Sequence, residues 1–421
     1  MNETIDLATN AAGAVSPASP KITKAPAKLP QREQIKAAPS LAPPEPSSAK
    51  DKTLFTPGPL TTSLTVKQAM LRDAGSWHFE FNAVVASVRQ RILRLAGISP
   101  EAGFETIPLQ GSGTFGVEAV FATAVPANGK VLVLSNGAYG ERMLLMLQRA
   151  QIGHDVIRAD TDVPNDPASL DRLLASDKSI THVAIVHCET TTGILNPIND
   201  IGTVVKKHGR TYIVDAMSSF GGIPIDFEAA GIDFLVSSAN KCIEGVPGFC
   251  FVIARRSALM ASEGSARSLS LDLLDQLKGF EKNGQFRYTP PTHAILAFQQ
   301  ALNELDQEGG VSGRARRYQH NHSVLVEGMK QLGFQPYLKP GVQSHIITCF
   351  YYPEDPAFSF QDFYRRLSDR GFIIYPGKLT QADCFRIGSV GRIFEADIRA
   401  LLAAIRDFID ESGICLQNGR R

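Results

Sequence analysis

Two ionisable residues stand at the ends of apolar runs, where a charged side chain is uncommon. Asp215 directly follows Tyr212–Val214, and Lys241 lies just beyond the run that begins at Phe234. A primary amine can attack a carbonyl carbon, and a buried carboxylate needs a cation or hydrogen-bond donors. Each residue alone has a plainer explanation, because Asp215 could cap a helix and most lysines point into solvent. A catalytic role becomes the better interpretation only when further residues join them.

A glycine and hydroxyl motif precedes a helical stretch further towards the N-terminus. Ser112, Gly113 and Thr114 follow Gly111 and come before an apolar pattern with helical spacing. Free backbone N–H groups at a helix start, together with two hydroxyls, suit a phosphate dianion. An ordinary Ser or Thr helix cap after a glycine turn would explain the same residues.

Two more segments carry side chains suited to a planar ligand. Tyr139 comes after the apolar run Val131–Leu134, and its ring could stack on a heterocycle or simply pack in the core. Thr191 lies at the centre of a threonine triplet that follows Val183–Val186. Local turn bonding explains the triplet equally well.

The order of these segments is more informative than any one of them. From the N-terminus onward, the chain contains a candidate phosphate loop, an aromatic residue, a threonine loop, an aspartate and a lysine, in that order. Pyridoxal 5'-phosphate needs a contact of each of these kinds. The residues together therefore predict a pyridoxal-phosphate enzyme.

The elements that position these residues are short strands alternating with helices. Apolar periodicity predicts a helix from Phe81 to Leu95 that ends before Gly97. Continuous apolar runs predict strands at Val131–Leu134, Val183–Val186, Tyr212–Val214, Phe234–Val236 and Phe249–Ile253. Such runs between helices indicate an α/β fold with a mostly parallel sheet buried on both faces. Ligands then bind outside the carboxyl ends of the strands.

The chain divides into three parts by composition and pattern. Residues 1–50 are rich in Ala, Pro, Ser and Lys without apolar periodicity, so we expect a disordered extension. Residues 66–310 form the predicted large cofactor-binding domain. Residues 51–65 and 311–421 form a predicted smaller α+β domain, built from both ends of the folded chain. Its predicted elements are strands at His345–Tyr352, Phe372–Tyr375 and Cys384–Ile387, a helix at Phe360–Arg370 and a closing helix around Ile398–Phe408.

Composition excludes several classes of function. The 421 residues carry 43 basic and 42 acidic side chains, so no strong field recruits nucleic acid or a membrane surface. We find no apolar run of about 18 to 20 residues that could span a bilayer. The six cysteines are scattered without a CxxC pair, which disfavours a disulfide framework or a metal site. We expect a cytoplasmic enzyme that acts on small molecules.

The motifs also resemble a known group of proteins. The chain is similar to fold-type I pyridoxal-phosphate enzymes, and specifically to the class V aminotransferases, from about Leu54 to about Gly413. The segments that carry the resemblance are Phe55–Ser63, Val214–Gly222, Ser237–Gly248, Tyr288–His293 and Cys384–Gly388.

This resemblance implies a role for individual residues. Lys241 would be the Schiff-base lysine, Asp215 would pair with the pyridine nitrogen, and Tyr139 would stack on the ring. Ser112, Gly113, Thr114 and Thr191 would complete the cofactor site. Thr289 matches a position from which a second subunit reaches the same phosphate, which implies a homodimer with shared active sites. Arg386 matches the arginine that binds the acidic group of the substrate.

The resemblance also implies a reaction. Within the group the motifs match the branch that moves the amino group of an aminophosphonate to pyruvate by a ping-pong mechanism. Alanine:glyoxylate and serine:pyruvate aminotransferases are the main alternatives. A cysteine desulfurase is a further one, although Asn240 stands where desulfurases typically place a histidine. One departure concerns His78 and Phe79, where the branch has acidic residues, and it bears on the choice of amino donor.

Overall fold

We analysed a computed structural model that describes residues 51–377, 379, 382–414 and 416. The extension predicted at residues 1–50 lies outside the described residues. The strands are β1 (Thr53–Leu54), β2 (Phe104–Gln110), β3 (Lys130–Ser135), β4 (Gly153–Arg158), β5 (His182–Val186), β6 (Cys188–Glu189), β7 (Ile194–Leu195), β8 (Thr211–Asp215), β9 (Phe234–Ser238), β10 (Phe249–Arg255), β11 (Ile347–Tyr351), β12 (Phe372–Ile373), β13 (Tyr375–Pro376) and β14 (Cys384–Gly388).

Helices follow most of these strands and cover the sheet. They are α1 (Leu64–Gln68), α2 (Phe79–Leu95), α3 (Gly113–Ala124), α4 (Ala138–Arg149), α5 (Pro167–Ser176), α6 (Ile198–Lys207), α7 (Phe227–Ala230), α8 (Arg256–Met260), α9 (Leu273–Asn283), α10 (Thr292–Gln307), α11 (Gly310–Gln331), α12 (Phe360–Asp369) and α13 (Glu395–Ser412). None of those in the described part of the chain has the length and apolar character needed to cross a bilayer.

The central sheet has seven strands in the order β2, β10, β9, β8, β5, β3, β4. Its strands are parallel except β10, which runs antiparallel to both of its neighbours. Every residue of β5 and of β9 is buried, as expected for strands covered by helices on both faces. The predicted α/β fold is confirmed. The carboxyl ends of β3, β5, β8 and β9 meet at one edge and define where a ligand can bind.

Two apolar clusters account for most of the interior. The larger one runs from Val66 to Leu305 around the central sheet. The second joins Phe55 to side chains between Leu325 and Ile414. The division into a large and a small domain, with its bounds, stays a prediction.

One predicted strand of the small domain is wrong in detail. The segment Phe372–Tyr375 forms two short strands instead of one. β12 pairs in parallel with β1, whereas β13 pairs with β14 in a separate antiparallel sheet with β11. The buried Ile374 lies between them. The chain changes sheets there because β1, from the other end of the folded chain, offers a second edge.

Candidate active site

Asp215 is the last residue of β8 and is only 7% exposed. The backbone N–H of Met217 donates a hydrogen bond of 2.9 Å to its Oδ1. Within the described part of the chain the carboxylate forms no ion pair. Burial raises the pKa of Asp215 to about 6, although the Met217 N–H and the charge of Lys241 act in the opposite direction. The site therefore holds a costly anion, and a cationic ligand would stabilise it.

Lys241 lies in the irregular turn that follows β9. In the central sheet, β9 is the neighbour of β8, the strand that ends at Asp215. Its Nζ donates a hydrogen bond of 2.8 Å to the carbonyl oxygen of Pro57. Gly58 has φ +121°, and a Cβ added there would lie 2.6 Å from the Lys241 Nζ. Only glycine fits beside the lysine in this conformation. The amine thus reaches from the central sheet to the N-terminal segment.

The start of α3 forms the third part of the site. Ser112 is the N-cap residue, but its hydroxyl makes no capping bond, so it is not the ordinary helix cap that was the alternative. Gly113 is buried, and a Cβ added to it would lie 2.0 Å from Sδ of Met217. The missing side chain lets this helix start approach the segment that follows Asp215. Its N–H groups and the hydroxyls of Ser112 and Thr114 suit an anion.

Glu189 is a site residue that the sequence analysis missed. It is fully buried, and its two oxygens accept hydrogen bonds from Tyr139 N (3.1 Å), Gly140 N (3.3 Å), Thr191 N (3.0 Å) and Thr191 Oγ1 (2.6 Å). The Thr191 hydroxyl also accepts a bond of 2.9 Å from Ala138 N. This pair therefore holds the start of α4, and with it Tyr139. Burial raises the pKa of Glu189. That Thr191 touches the cofactor remains a prediction.

Arg142 is a second residue that was missed. Its guanidinium lies 4.7 Å from the centre of the Tyr139 ring, and its Nη1 is 3.4 Å from the Thr114 hydroxyl. The spacing of three residues from Tyr139 on a helix could have indicated this contact. Arg142 joins the tyrosine to the helix start of α3 and adds positive charge near Asp215.

Arg386 lies in the separate sheet of β11, β14 and β13 but reaches the same site. It lies in the middle of β14 and is 1% exposed. Its Nε donates to Pro376 O at 2.9 Å, and its Nη1 donates to Thr190 O at 2.6 Å. The second bond ties it to the loop of Glu189 and Thr191. Both terminal nitrogens retain N–H groups that can bind a further anion.

Two predicted features lie on the surface of the single chain. Thr289 is exposed, and its carbonyl oxygen accepts a bond of 2.6 Å from Gln110 Nε2, just before the phosphate motif. His78 is the N-cap residue of α2 without a side-chain capping bond, and Phe79 is 73% exposed. The effect of His78 and Phe79 on the choice of donor stays a prediction.

Within the described ranges, no group of three or more acidic, His or Cys side chains could hold a metal ion.

Comparison with known proteins adds independent findings. The profile of the family "Aminotransferase class-V" matches residues 62–381. The 2-aminoethylphosphonate–pyruvate transaminases of Klebsiella pneumoniae and of Salmonella typhimurium are each 53% identical over 361 residues, covering 85% of this chain and 98% of the relative.

Solved structures agree on the fold. Ureidoglycine-glyoxylate aminotransferase from Bacillus subtilis superposes with a TM-score of 0.80 at 21% identity, covering 88% of this chain and 96% of that one. Pyridoxamine-pyruvate aminotransferase from Mesorhizobium loti superposes with a TM-score of 0.80 at 23% identity, covering 89% of this chain and 96% of that one.

Proposed function

Because the chain belongs to the class-V aminotransferase family, we propose that it transfers the amino group of 2-aminoethylphosphonate to pyruvate. The products are phosphonoacetaldehyde and L-alanine. The observation that carries this proposal is the 53% identity to transaminases of that name over 85% of the chain. The alanine:glyoxylate aminotransferase among the solved structures is 24% identical and supports the fold alone.

Pyridoxal 5'-phosphate is the cofactor. When bound, it supplies an electron-accepting ring that lets an amine-bearing carbon lose a proton. The described residues fit this group. Asp215 is a buried carboxylate that lacks an ion-pair partner among them, Ser112 leaves its hydroxyl free of capping bonds, and Lys241 places an amine near Asp215.

Asp215 and Lys241 have complementary roles in this proposal. The Asp215 carboxylate would keep a proton on the pyridine nitrogen of the bound cofactor, because a nearby anion raises the pKa of that nitrogen. Lys241 would hold the cofactor through Nζ. As a free amine, the same Nζ would accept the proton that leaves the amine-bearing carbon of the donor. Tyr139 would stack on the cofactor ring, and Arg142 already covers one face of the tyrosine.

Arg386 binds the anionic end of each substrate. One site must accept a tetrahedral phosphonate in the first half-reaction and a planar carboxylate in the second. A guanidinium can do both, because its fork of N–H donors bonds to two oxygens at once. The Nε bond to Pro376 and the Nη1 bond to Thr190 hold that fork in one orientation before the substrate arrives.

A panel of amino donors tests the proposed function. Alanine formation from pyruvate is measured with 2-aminoethylphosphonate, serine or cysteine as donor, and sulfide release is followed with cysteine. We expect alanine with the aminophosphonate, and the Lys241→Ala variant as control should give none. Rapid alanine formation with serine but not with 2-aminoethylphosphonate would assign the enzyme to the serine:pyruvate branch instead.

We further propose a homodimer with shared active sites. The exposed Thr289 adjoins exposed apolar side chains that suit a partner subunit. Tyr288 is 43% exposed, Phe115 in the first turn of α3 is 50% exposed, and Leu269 is 76% exposed. The backbone of Leu269 accepts a bond of 2.9 Å from Arg287, which places it beside this segment. A second copy of the chain that covers this surface would bring its own Thr289 to a phosphate site.

The state of the cysteines supports a cytoplasmic location, which we also propose. Cys188, Cys242, Cys250, Cys349 and Cys384 are buried free thiols. A reducing compartment keeps thiols in this state.

A further inference from the structure

A buried ion-pair cluster lies directly behind the lysine. Glu244 comes three residues after Lys241, is 2% exposed and has φ +65°, which is uncommon for a residue other than glycine. Its Oε1 accepts bonds from Tyr318 Oη (2.6 Å) and Arg317 Nη2 (2.8 Å), with Arg314 Nη1 at 3.3 Å. The turn that carries Lys241 is therefore held by three side chains of α11.

The arginines fix the same turn at a second point and balance its charge. Arg314 is fully buried, and its Nη1 donates to Cys242 O at 2.6 Å. Glu308 accepts bonds of 2.6 Å from Nε of Arg314 and from Nε of Arg317. Two cations thus meet two carboxylates in an interior where an unpaired charge would be costly.

The cluster also contacts the segment that follows β14, the strand of Arg386. Arg317 Nη1 donates to Gly391 O and, at 3.1 Å, to Ile393 O. Gly391 N lies 3.3 Å from the Tyr318 hydroxyl. One group of side chains therefore touches the turn of Lys241 on one side and the continuation of the Arg386 strand on the other.

We propose that Glu244, Arg314, Arg317 and Tyr318 are positioning residues that set the separation between Lys241 and Arg386. The donor must place its amine-bearing carbon at the lysine and its anion at the arginine, so this separation selects donors by length. A displacement of about 1 Å in such a geometry can lower the rate by roughly a hundredfold. The inference rests on the proposed function for the identity of the donors.

Two conservative variants and one matched control test this role. Tyr318→Phe removes one hydroxyl, and Arg317→Lys keeps the charge but loses the fork of donors. Tyr212→Phe is the control, because Tyr212 is also fully buried and donates to a backbone carbonyl, that of Ile198, at 3.1 Å. Its bond leads to α6 and not to the turn of Lys241.

The first measurement is the ratio of kcat/KM for 2-aminoethylphosphonate to kcat/KM for 3-aminopropylphosphonate, both with pyruvate. We expect the ratio to fall at least about fivefold in Tyr318→Phe and in Arg317→Lys, which is the effect of one hydrogen bond. The ratio should stay within roughly twofold of wild type in Tyr212→Phe. A merely structural role would lower both rates together and leave the ratio unchanged, and that result would overturn the inference.

The second measurement needs no turnover. Amide hydrogen exchange should accelerate in Tyr318→Phe at Glu244 and Gly245 and also around Gly391, by roughly fivefold, and at neither segment in the control. Acceleration at only one segment would refute the coupling. If the wild type uses neither phosphonate, the proposed function fails while hydrogen exchange still decides whether the cluster couples the two segments.

Discussion

At the scale of single residues, Asp215 shows a conflict between stability and function. Its pKa of about 6 in the folded protein lies above the ordinary 3.8, so the folded state binds a proton more readily than the unfolded state between those values. Without cofactor, burial of the charged form therefore lowers the free energy of unfolding by up to about 3 kcal/mol above pH 6. This cost disappears as the pH falls towards 4.

The variant Asp215→Asn removes both the cost and the function. We expect the cofactor-free variant to resist urea better than wild type at pH 8 and by a smaller margin at pH 5. Turnover should fall by roughly 10² or more, the effect of losing one preorganised charge. Urea unfolding curves and steady-state kinetics measure the two effects. Near-normal turnover would mean that another group pairs with the pyridine nitrogen.

The variant Lys241→Ala should abolish turnover without unfolding the protein. The side chain ends near Asp215, and its hydrogen bond to Pro57 O contributes about 1 to 3 kcal/mol, too little to unfold the protein when lost. Lys282→Ala, at an exposed position of α9, is the control and should behave as wild type. Kinetics and thermal unfolding together check the result. Activity within tenfold of wild type would refute the assignment of Lys241.

The variant Arg386→Lys tests the need for a guanidinium. A lysine keeps the charge but cannot bond to Pro376 O, Thr190 O and a substrate anion in the geometry of the planar fork. We expect both half-reactions to slow by roughly 10² or more, as for loss of a bidentate contact in a closed site. Single-turnover measurements with each substrate separate the two. Damage confined to one half-reaction would show that the other anion binds elsewhere.

At the scale of elements, Glu189 determines where α4 begins. Both of its oxygens accept bonds from donors, so the amide N–H group of a glutamine would face another N–H or hydroxyl donor. We expect Glu189→Gln to lower the free energy of unfolding by about 1 to 3 kcal/mol, as for a buried group left unpaired.

Chemical denaturation measures this effect against a matched exchange on the surface. Glu141→Gln is the control, because Glu141 is 40% exposed in its ion pair with Arg158, and such pairs contribute about 1 kcal/mol or less. Equal effects of the two exchanges would contradict the role of Glu189 at the start of α4.

At the scale of the whole molecule, the proposed shared site predicts complementation between inactive subunits. Mixing Lys241→Ala protein with Thr289→Ala protein after reversible dissociation should give heterodimers in which one site carries neither change. Activity should rise above the sum of the two separate proteins, and sedimentation should report a dimer. If the mixture gains no activity although heterodimers form, each site is complete within one chain.

The sequence by itself determined the class of the fold, and it predicted the chemistry of the site. Strand-terminal Asp215 and Lys241 were identifiable because apolar runs mark buried parallel strands, whose carboxyl ends must share an edge. The regular runs around β5, β8 and β9 were predicted for the same reason. By contrast, no residue of β4 is fully buried, and β2 contains Pro108 and Glu105, so neither strand has a continuous apolar run.

Only the tertiary structure decided which distant side chains meet. The Glu189 carboxylate accepts a hydrogen bond from the backbone N–H of Tyr139, and Arg386 donates to the carbonyl oxygen of Thr190 from another sheet. The segment Phe372–Tyr375 divides between two sheets. The contact of Glu189 with Tyr139 spans 50 positions of the chain, and that of Arg386 with Thr190 spans 196. Local periodicity reports the face on which a side chain lies and not its partner. Partners at such separations are chosen by the packing of whole elements against one another.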